Sequence, residues 1–242
     1  MFVVNSWWQQ RKKDRALIKA AQKGDLDEVV RWADRGADIK CDCITLRYGF
    51  VFVRSTPLLE AIIHSHASIV RYILDRHRET LYQKNRRGMT PFHQAILRYD
   101  FDIDILRILL REQDFISKDL VNSCDKNGHS ILFGLVRNFE WGGDTFISHW
   151  MGKLYLLLDA EGIDVNTTTN DGWTALHRAC KLHAFEMIGA LIKSPGIRID
   201  IKTSGKGYTA LDLLLKKRDS RHYSHMKPKF EEAIALFYMK KC

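Results

Sequence analysis

The sequence lacks a long apolar run, because no stretch approaches the roughly eighteen consecutive apolar residues that identify a membrane-spanning helix. The apolar segment at residues 1–4 is too short for a signal peptide, and the basic residues 11–13 follow it instead of preceding it. We therefore expect an intracellular protein of the cytoplasm with no membrane partner. Nuclear residence and secretion as an effector are the alternatives.

Cysteine is sparse and does not show the pattern of a disulfide scaffold. The five cysteines are Cys41, Cys43, Cys124, Cys180 and Cys242, an odd number without the even framework of small secreted domains. Cys41 and Cys43 would supply half of a metal site, but no second Cys or His pair stands at zinc-finger spacing. We predict no metal ion.

Signatures of catalysis and of nucleotide binding are also missing. The sequence contains no Gly-x-Ser-x-Gly, no His-Glu-x-x-His and no Gly-x-Gly-x-x-Gly, and residues 204–207 lack the first half of a phosphate-binding P-loop. His93 and His177 have no nucleophile or acid partner at a recognisable spacing. The chain is therefore predicted not to be an enzyme, with no catalytic residue and no cofactor.

What the sequence does contain is a repeated phrase. Gly-x-Thr-(Pro/Ala)-(Leu/Phe)-His occurs at residues 88–93 and 172–177, with weaker copies at 128–132 and 207–211. The repeating units start at Thr56, Thr90, Ser130, Thr174 and Thr209, with spacings of 34, 40, 44 and 35 residues. A period of this length is typical of stacked supersecondary units.

The phrase resembles the Thr-Pro-Leu-His motif of ankyrin repeats, and residues 16–39 resemble the amino-terminal cap of such arrays. The resemblance implies an all-α solenoid of helix-turn-helix units with β-hairpin fingers, here a monomer. It also implies one domain over residues 14–242, after an extension at 1–13 that continues as helix into the first repeat. The six expected repeats are 14–48, 49–82, 83–122, 123–166, 167–201 and 202–242.

The residue types of each phrase have a physical reason. Glycine adopts the positive φ that a hairpin tip requires, and Thr caps the N–H groups of the helix that follows. Pro91 suits the first turn of that helix, where its missing donor is not needed. Asp25 and Glu28 indicate a capping box, as do Ser6 and Gln9 at the start of the first helix.

Three segments depart from the repeat pattern. Residues 41–55 contain two β-prone runs around a glycine and predict an extended finger. Residues 138–150 form an aromatic-rich insertion that does not fit uninterrupted helix, and its rings either pack into the stack or form a contact loop. Pro228 is expected to open a last helix that buries Phe230, Ala233, Ile234 and Phe237.

In ankyrin repeats the surface of hairpin tips and first helices usually binds another protein. Nine of the twenty positions that this register places there are Lys or Arg and one is acidic. Bulky residues between the charges are typical of interface hot spots. The predicted partner-binding residues are Arg86, Arg87, Met89, Arg98, Lys126, His129, Arg137, Trp173, Lys181, Lys206, Tyr208, Lys216 and Lys217.

The resulting hypothesis is a protein-interaction module, scaffold or adaptor that binds an acidic surface or peptide. Nucleic acid or a phosphorylated ligand is the alternative, because a net charge of +9 with aromatic rings would also suit phosphates and bases. A regulatory or targeting subunit of an enzyme complex is another, and a merely solvated positive face is the simplest. The resemblance further marks Asn166 as a position where ankyrin asparagines become β-hydroxylated.

Overall fold

The computed structural model describes residues 2–47, 51–97, 103–111, 118–139, 144–218 and 225–241. Arg98, the finger tip at 48–50 and the insertion residues 140–143 lie outside this part of the chain. The chain divides into two compact units, residues 1–109 and 110–242, which are described in turn. A single domain over 14–242 stays a prediction.

The first unit consists of helix pairs with one β-hairpin between the first two pairs. Its elements are α1 (Phe2–Lys23), α2 (Leu26–Asp34), β1 (Cys43–Arg47), β2 (Val51–Ser55), α3 (Pro57–Ile63), α4 (Ala67–Arg76), a 3-10 helix (Arg78–Tyr82), α5 (Pro91–Ile96) and most of α6 (Ile103–Arg111), in which the unit ends. α1 packs against α2, α3 and β1, and α3 packs against α5.

The extended finger is confirmed. β1 and β2 pair antiparallel, with Cys43 opposite Ser55 and Arg47 opposite Val51. The two β-prone runs of the sequence form one hairpin because the connection between them is short and contains Gly49, a residue that favours turns.

Two helix starts were predicted from capping boxes, with different outcomes. Asp25 caps α2, since its Oδ1 accepts the Glu28 N–H at 2.9 Å, whereas the Glu28 carboxylate binds Trp32 Nε1 at 2.7 Å. The box at Ser6 and Gln9 is wrong because α1 already begins at Phe2. Residues 2–5 continue the helical backbone by another turn, so Ser6 lies inside the helix.

The second unit stacks its helices in two layers. Its elements are α7 (Lys118–Val121), α8 (Ile131–Arg137), α9 (Asp144–Leu158), α10 (Ala175–Leu182), α11 (Phe185–Lys193), α12 (Ala210–Arg218) and α13 (Lys227–Lys241). α10 packs between α8 and α12, and α11 packs between α9 and α13. This alternation gives each amphipathic helix two neighbours against which its apolar side is buried.

The insertion in the fourth repeat is partly helical, and as expected it is not one uninterrupted helix, because α8 ends at Arg137 and the next helix begins only at Asp144. α9 starts at Asp144 and includes residues 144–150, because no proline or glycine interrupts the backbone until Gly152. Phe139 and Trp150 are 4% and 2% exposed, so these two rings pack into the core and do not form a contact loop.

The last helix follows the prediction. Pro228 lies in the first turn of α13, where no intrahelical donor is lost. Phe230, Ala233, Ile234 and Phe237 are all buried, and the Phe230 ring meets the Phe185 ring edge-on at 5.0 Å between centroids. The apolar residues of α13 therefore cover α11 and complete the core of the second unit.

The histidine of the repeated phrase has a structural role. His177 Nδ1 accepts the Thr174 N–H at 3.2 Å, and Thr174 Oγ1 accepts the His177 N–H at 3.3 Å, which caps α10 reciprocally. His177 Nε2 donates to the Tyr208 carbonyl oxygen at 3.1 Å, which fixes the next hairpin. His177 therefore links the start of α10 to the hairpin of the next repeat.

We expect this arrangement to make the stability of the second unit depend on pH. Burial lowers the pKa of His177, against the opposing effect of the Tyr208 and Ile201 carbonyls. The folded state thus favours the neutral ring, and its stability falls as the pH drops below about 6.5, where the unfolded histidine takes up a proton. We expect His177→Gln to be less stable at neutral pH but to lose less stability on acidification, as measured by urea unfolding. A His177→Gln variant that loses as much stability on acidification as the wild type would contradict this role of His177.

Candidate partner-binding surface

The hairpin tips of the second unit are joined by backbone hydrogen bonds. Asn170 N–H donates to the Asn127 carbonyl at 3.1 Å, and Ser204 N–H donates to the Asp171 carbonyl at 2.9 Å. Gly128 and Gly172 both have φ of +75°, and a Cβ on Gly172 would lie 2.7 Å from Ser204 Oγ. Positive φ was expected for these glycines, but their second function, close approach of the next hairpin, was not.

Each of these tips carries a ring beside a cation of its own repeat. The Lys181 ammonium lies over the Trp173 ring at 5.0 Å, and the Lys216 ammonium lies over the Tyr208 ring at 5.4 Å. In the preceding repeat an Arg137 guanidinium nitrogen lies 3.2 Å from His129 Nδ1. In all three cases the cation follows the ring by eight residues, from the hairpin tip to the exposed side of the first helix. We call them the ring–cation pairs.

Two of these pairs line one pocket with a volume of about 490 Å³. The pocket contains Trp173, Tyr208 and four lysines, whereas Asp171 is its one acidic lining residue. Both rings are partly exposed and therefore accessible to a ligand. The predicted residues that the structure brings together here are Trp173, Lys181, Lys206, Tyr208, Lys216 and Lys217.

The other predicted residues of the second unit lie outside that pocket. Lys126 is exposed at a hairpin tip, and its carbonyl accepts the Asn170 side-chain N–H at 3.1 Å. His129 Nδ1 lies 3.1 Å from Asp125 Oδ2, so this ring also belongs to the hairpin. Burial, and to a smaller extent the charge of Arg137, lowers the pKa of Arg178.

The first unit has its own basic pocket, of about 420 Å³. Arg86 and Arg87 line it together with Arg54 and Lys84, which were not predicted to belong to a binding surface. Arg54 belongs to β2 and binds Asp42 Oδ2 through Nε at 2.8 Å. The strand alternation of the finger was the signal that could have located Arg54. Met89 is half-buried and does not line this pocket, although its place at the hairpin tip is as expected.

Asn166 connects two hairpin bases. Its Nδ2 donates to the Gly196 carbonyl at 2.8 Å, and its Oδ1 accepts the Arg198 N–H at 2.8 Å. These contacts explain why an asparagine suits this position, and its β-hydroxylation stays a prediction.

We expect Asn166→Ala to lower the free energy of unfolding by about 1 to 2 kcal/mol, because two hydrogen bonds across 30 and 32 residues are lost. Urea unfolding measures the change. Asn127→Ala is the control, since it removes an exposed hairpin side chain and should change stability by less than about 0.5 kcal/mol. Equal losses would show that the Asn166 contacts contribute nothing.

Asp14, Cys41 and Cys43 form a buried cluster, with potential ligand atoms within 4.8 Å of one another. Their polar groups already have partners: Asp14 Oδ1 accepts from Gln10 Nε2 at 2.8 Å and from the Asp38 N–H at 2.9 Å, and Cys41 Sγ donates to the Asp14 carbonyl. Burial raises the pKa of both thiols. The cluster therefore fastens the start of the finger to α1 with protonated cysteines.

A comparison with protein families agrees with the repeated helix pairs and the glycines at the hairpin tips. A model described as Ankyrin repeats (3 copies) matches residues 17–120, and one described as Ankyrin repeat matches residues 171–201. Together they span more than half of the chain. The chain belongs to the ankyrin-repeat family. The predicted all-α ankyrin-repeat fold is confirmed, and ankyrin repeats are in general protein-interaction modules.

Two solved structures resemble this ankyrin-repeat chain. EF0377, an ankyrin repeat protein, matches with a TM-score of 0.65 at 20% sequence identity, over 90% of this chain and 97% of that chain. A chain in the complex of the Bd0816 predatory endopeptidase from Bdellovibrio bacteriovorus with immunity protein Bd3460 matches with a TM-score of 0.56 at 21% identity, again over 90% and 97%. At this identity the likeness concerns the fold. None of the ankyrin helices in the described ranges is long and apolar enough to cross a membrane.

Proposed function

We propose that this protein is a non-catalytic interaction module, a scaffold or adaptor, that binds an acidic peptide or acidic protein surface through the ring–cation pairs. The observation that supports this most directly is the pocket lined by Trp173, Lys181, Tyr208 and Lys216. Its lysines neighbour two aromatic side chains that are partly exposed. Such a ring held by a cation is a rigid contact, since the side chain loses little further entropy on binding.

The geometry favours a carboxylate-bearing partner over stacked bases. A lysine above an indole keeps ammonium hydrogens for a carboxylate, because a cation–π contact does not use up its donors. The same lysine covers one face of the Trp173 ring, which a base would need for stacking. Nucleic acid is therefore the less favoured ligand.

Selection from a phage-displayed random peptide library would test the proposal, because it samples all peptide chemistries at once. We expect the enriched peptides to be rich in Asp and Glu, with an apolar residue that contacts Trp173 or Tyr208. Enrichment without an acidic bias would contradict the proposal.

Binding of mixed-sequence single-stranded RNA and DNA, measured by fluorescence anisotropy against salt, is the companion experiment. Strong binding that falls steeply with the logarithm of the salt concentration, together with no acidic peptide, would assign the surface to nucleic acid. A ligand retained by a Trp173→Ala/Tyr208→Ala variant would place the interaction elsewhere on the chain.

A further inference from the structure

Two exposed tryptophans lie near the amino-terminal end of α1. Trp7 and Trp8 are 51% and 59% exposed, and their rings meet edge-on at 5.5 Å between centroids. Exposed indoles are costly in water, and they belong to no repeat motif that would explain them. Neither residue takes part in the partner-binding surface.

The helix that carries them is tied to the repeat further along. Gln10 Nε2 donates to the Gly36 carbonyl at 2.9 Å, and Lys13 Nζ donates to the Arg35 carbonyl at 2.8 Å. These bonds attach α1 to the loop that ends α2. Since the tryptophans precede Gln10, they lie on the amino-terminal side of that attachment, where both rings are exposed.

A row of cations continues from the tryptophans along the same side of α1. Arg11, Lys12 and Arg15 follow Trp8 by three, four and seven residues, which places all four on one helix face. Within the described ranges, none of these cations forms an ion pair with a carboxylate, and Arg11 lies over the Trp7 ring at 4.6 Å. α1 as a whole has six Lys or Arg residues and one acidic residue, the buried Asp14.

Tryptophan beside lysine and arginine is the composition of helices that lie at a bilayer surface, where the indole occupies the headgroup level and the cations attract anionic lipids. The shallow depression beside Trp8 is lined by residues of α1 alone, so no second element of the described chain shapes a recess for a folded partner. A fluid lipid surface requires no such recess.

We infer that the face of α1 formed by Trp7, Trp8, Arg11, Lys12 and Arg15 binds the surface of an anionic membrane. The helix lies on the bilayer and does not span it. This contact is peripheral and independent of the ring–cation pairs, and it revises the sequence-based expectation of no membrane partner. It would hold the chain at a lipid surface.

Flotation of the full chain, tagged after Cys242, with phosphatidylcholine vesicles and with mixed phosphatidylcholine and phosphatidylserine vesicles tests this inference. The wild type should float with the mixed vesicles only, and brominated lipid should quench its tryptophan fluorescence. Trp7→Ser/Trp8→Ser should abolish both effects. Arg11→Gln/Lys12→Gln should weaken partitioning by roughly 30-fold, from about fivefold per basic residue.

Lys193→Gln/Lys202→Gln is the matched control, because it removes the same charge from exposed positions in the second unit. It should float like the wild type, and far-ultraviolet circular dichroism should show that every variant stays helical. Equal flotation of the Trp7→Ser/Trp8→Ser variant and the wild type would overturn the inference. So would a wild type that ignores anionic vesicles but forms a dimer that depends on Trp7 and Trp8.

Discussion

Replacing Gly172 with alanine is expected to lower the free energy of unfolding by about 3 kcal/mol, from the sum of a strained backbone and a steric clash. The residue has φ of +75°, where an L side chain is unfavourable. Its new Cβ would lie 2.7 Å from Ser204 Oγ and 2.8 Å from Ser204 N, and the latter atom is backbone that cannot turn away. We expect the hydrogen bond between the hairpins, from the Ser204 N–H to the Asp171 carbonyl, to break first.

Two other glycines allow the cost of backbone strain and the cost of the steric clash to be measured separately. Gly207 has φ of +63° but nothing within 4 Å of an added Cβ, so Gly207→Ala should cost about 1 to 2 kcal/mol from the backbone alone. Gly205 has neither constraint, and Gly205→Ala should be neutral or stabilising by less than about 1 kcal/mol. Urea unfolding at neutral pH gives the three values. A Gly172→Ala loss no larger than that of Gly207→Ala would show that close hairpin approach contributes nothing to stability.

The second large effect concerns affinity. Trp173→Ala should weaken the binding of a phage-selected acidic peptide by about 30-fold or more, the effect expected for an interface hot spot. The loss arises because the indole supplies apolar contact and holds the Lys181 ammonium at 5.0 Å. Isothermal titration calorimetry measures it. Tyr155→Ala removes a comparably large aromatic that is 57% exposed on α9, and it should leave the affinity unchanged.

Charge reversal at the same pocket should act mainly on the association rate. Lys181→Glu/Lys216→Glu is expected to slow association by about tenfold or more and to remove most of its salt dependence, because the long-range attraction becomes repulsion. Lys193→Glu/Lys202→Glu is matched for charge and should have a smaller effect. If both double variants slowed association equally, the ring–cation pairs would have no special part in steering.

Much of the fold follows from local chemistry. A glycine two residues before a Thr or Ser cap marks where a first helix begins, as at Thr90 and Thr174. The apolar spacing of Phe230, Ala233, Ile234 and Phe237 identified the buried face of the last helix. Both signals could be found in the sequence because each depends on residues within a turn or two of one another. The start of α9 was missed because aromatic residues and paired glycines do not distinguish a packed helix from a loop.

The sequence identified many residues of the candidate site but not the contacts between their side chains. The register placed Trp173 and Lys181 on the same surface, yet the ring beneath the ammonium depends on how the hairpin folds back over its helix. Arg54 joins the basic pocket of the first unit from a strand distant in sequence from Arg86. Such juxtapositions arise from tertiary geometry, which the period of a repeat does not encode.

The hydrogen bonds between hairpins have a consequence for how the second unit tolerates change in chain length. Ser130 and Thr174 are 44 residues apart and Thr174 and Thr209 are 35 apart, yet each tip is bonded to the next by one backbone bond of about the same length. The surplus residues include the start of the long helix α9, away from the tips. The spacing of the ring–cation pairs along the hairpin tips therefore stays constant while the opposite helix layer changes in length, so insertions can accumulate there without altering the proposed binding surface.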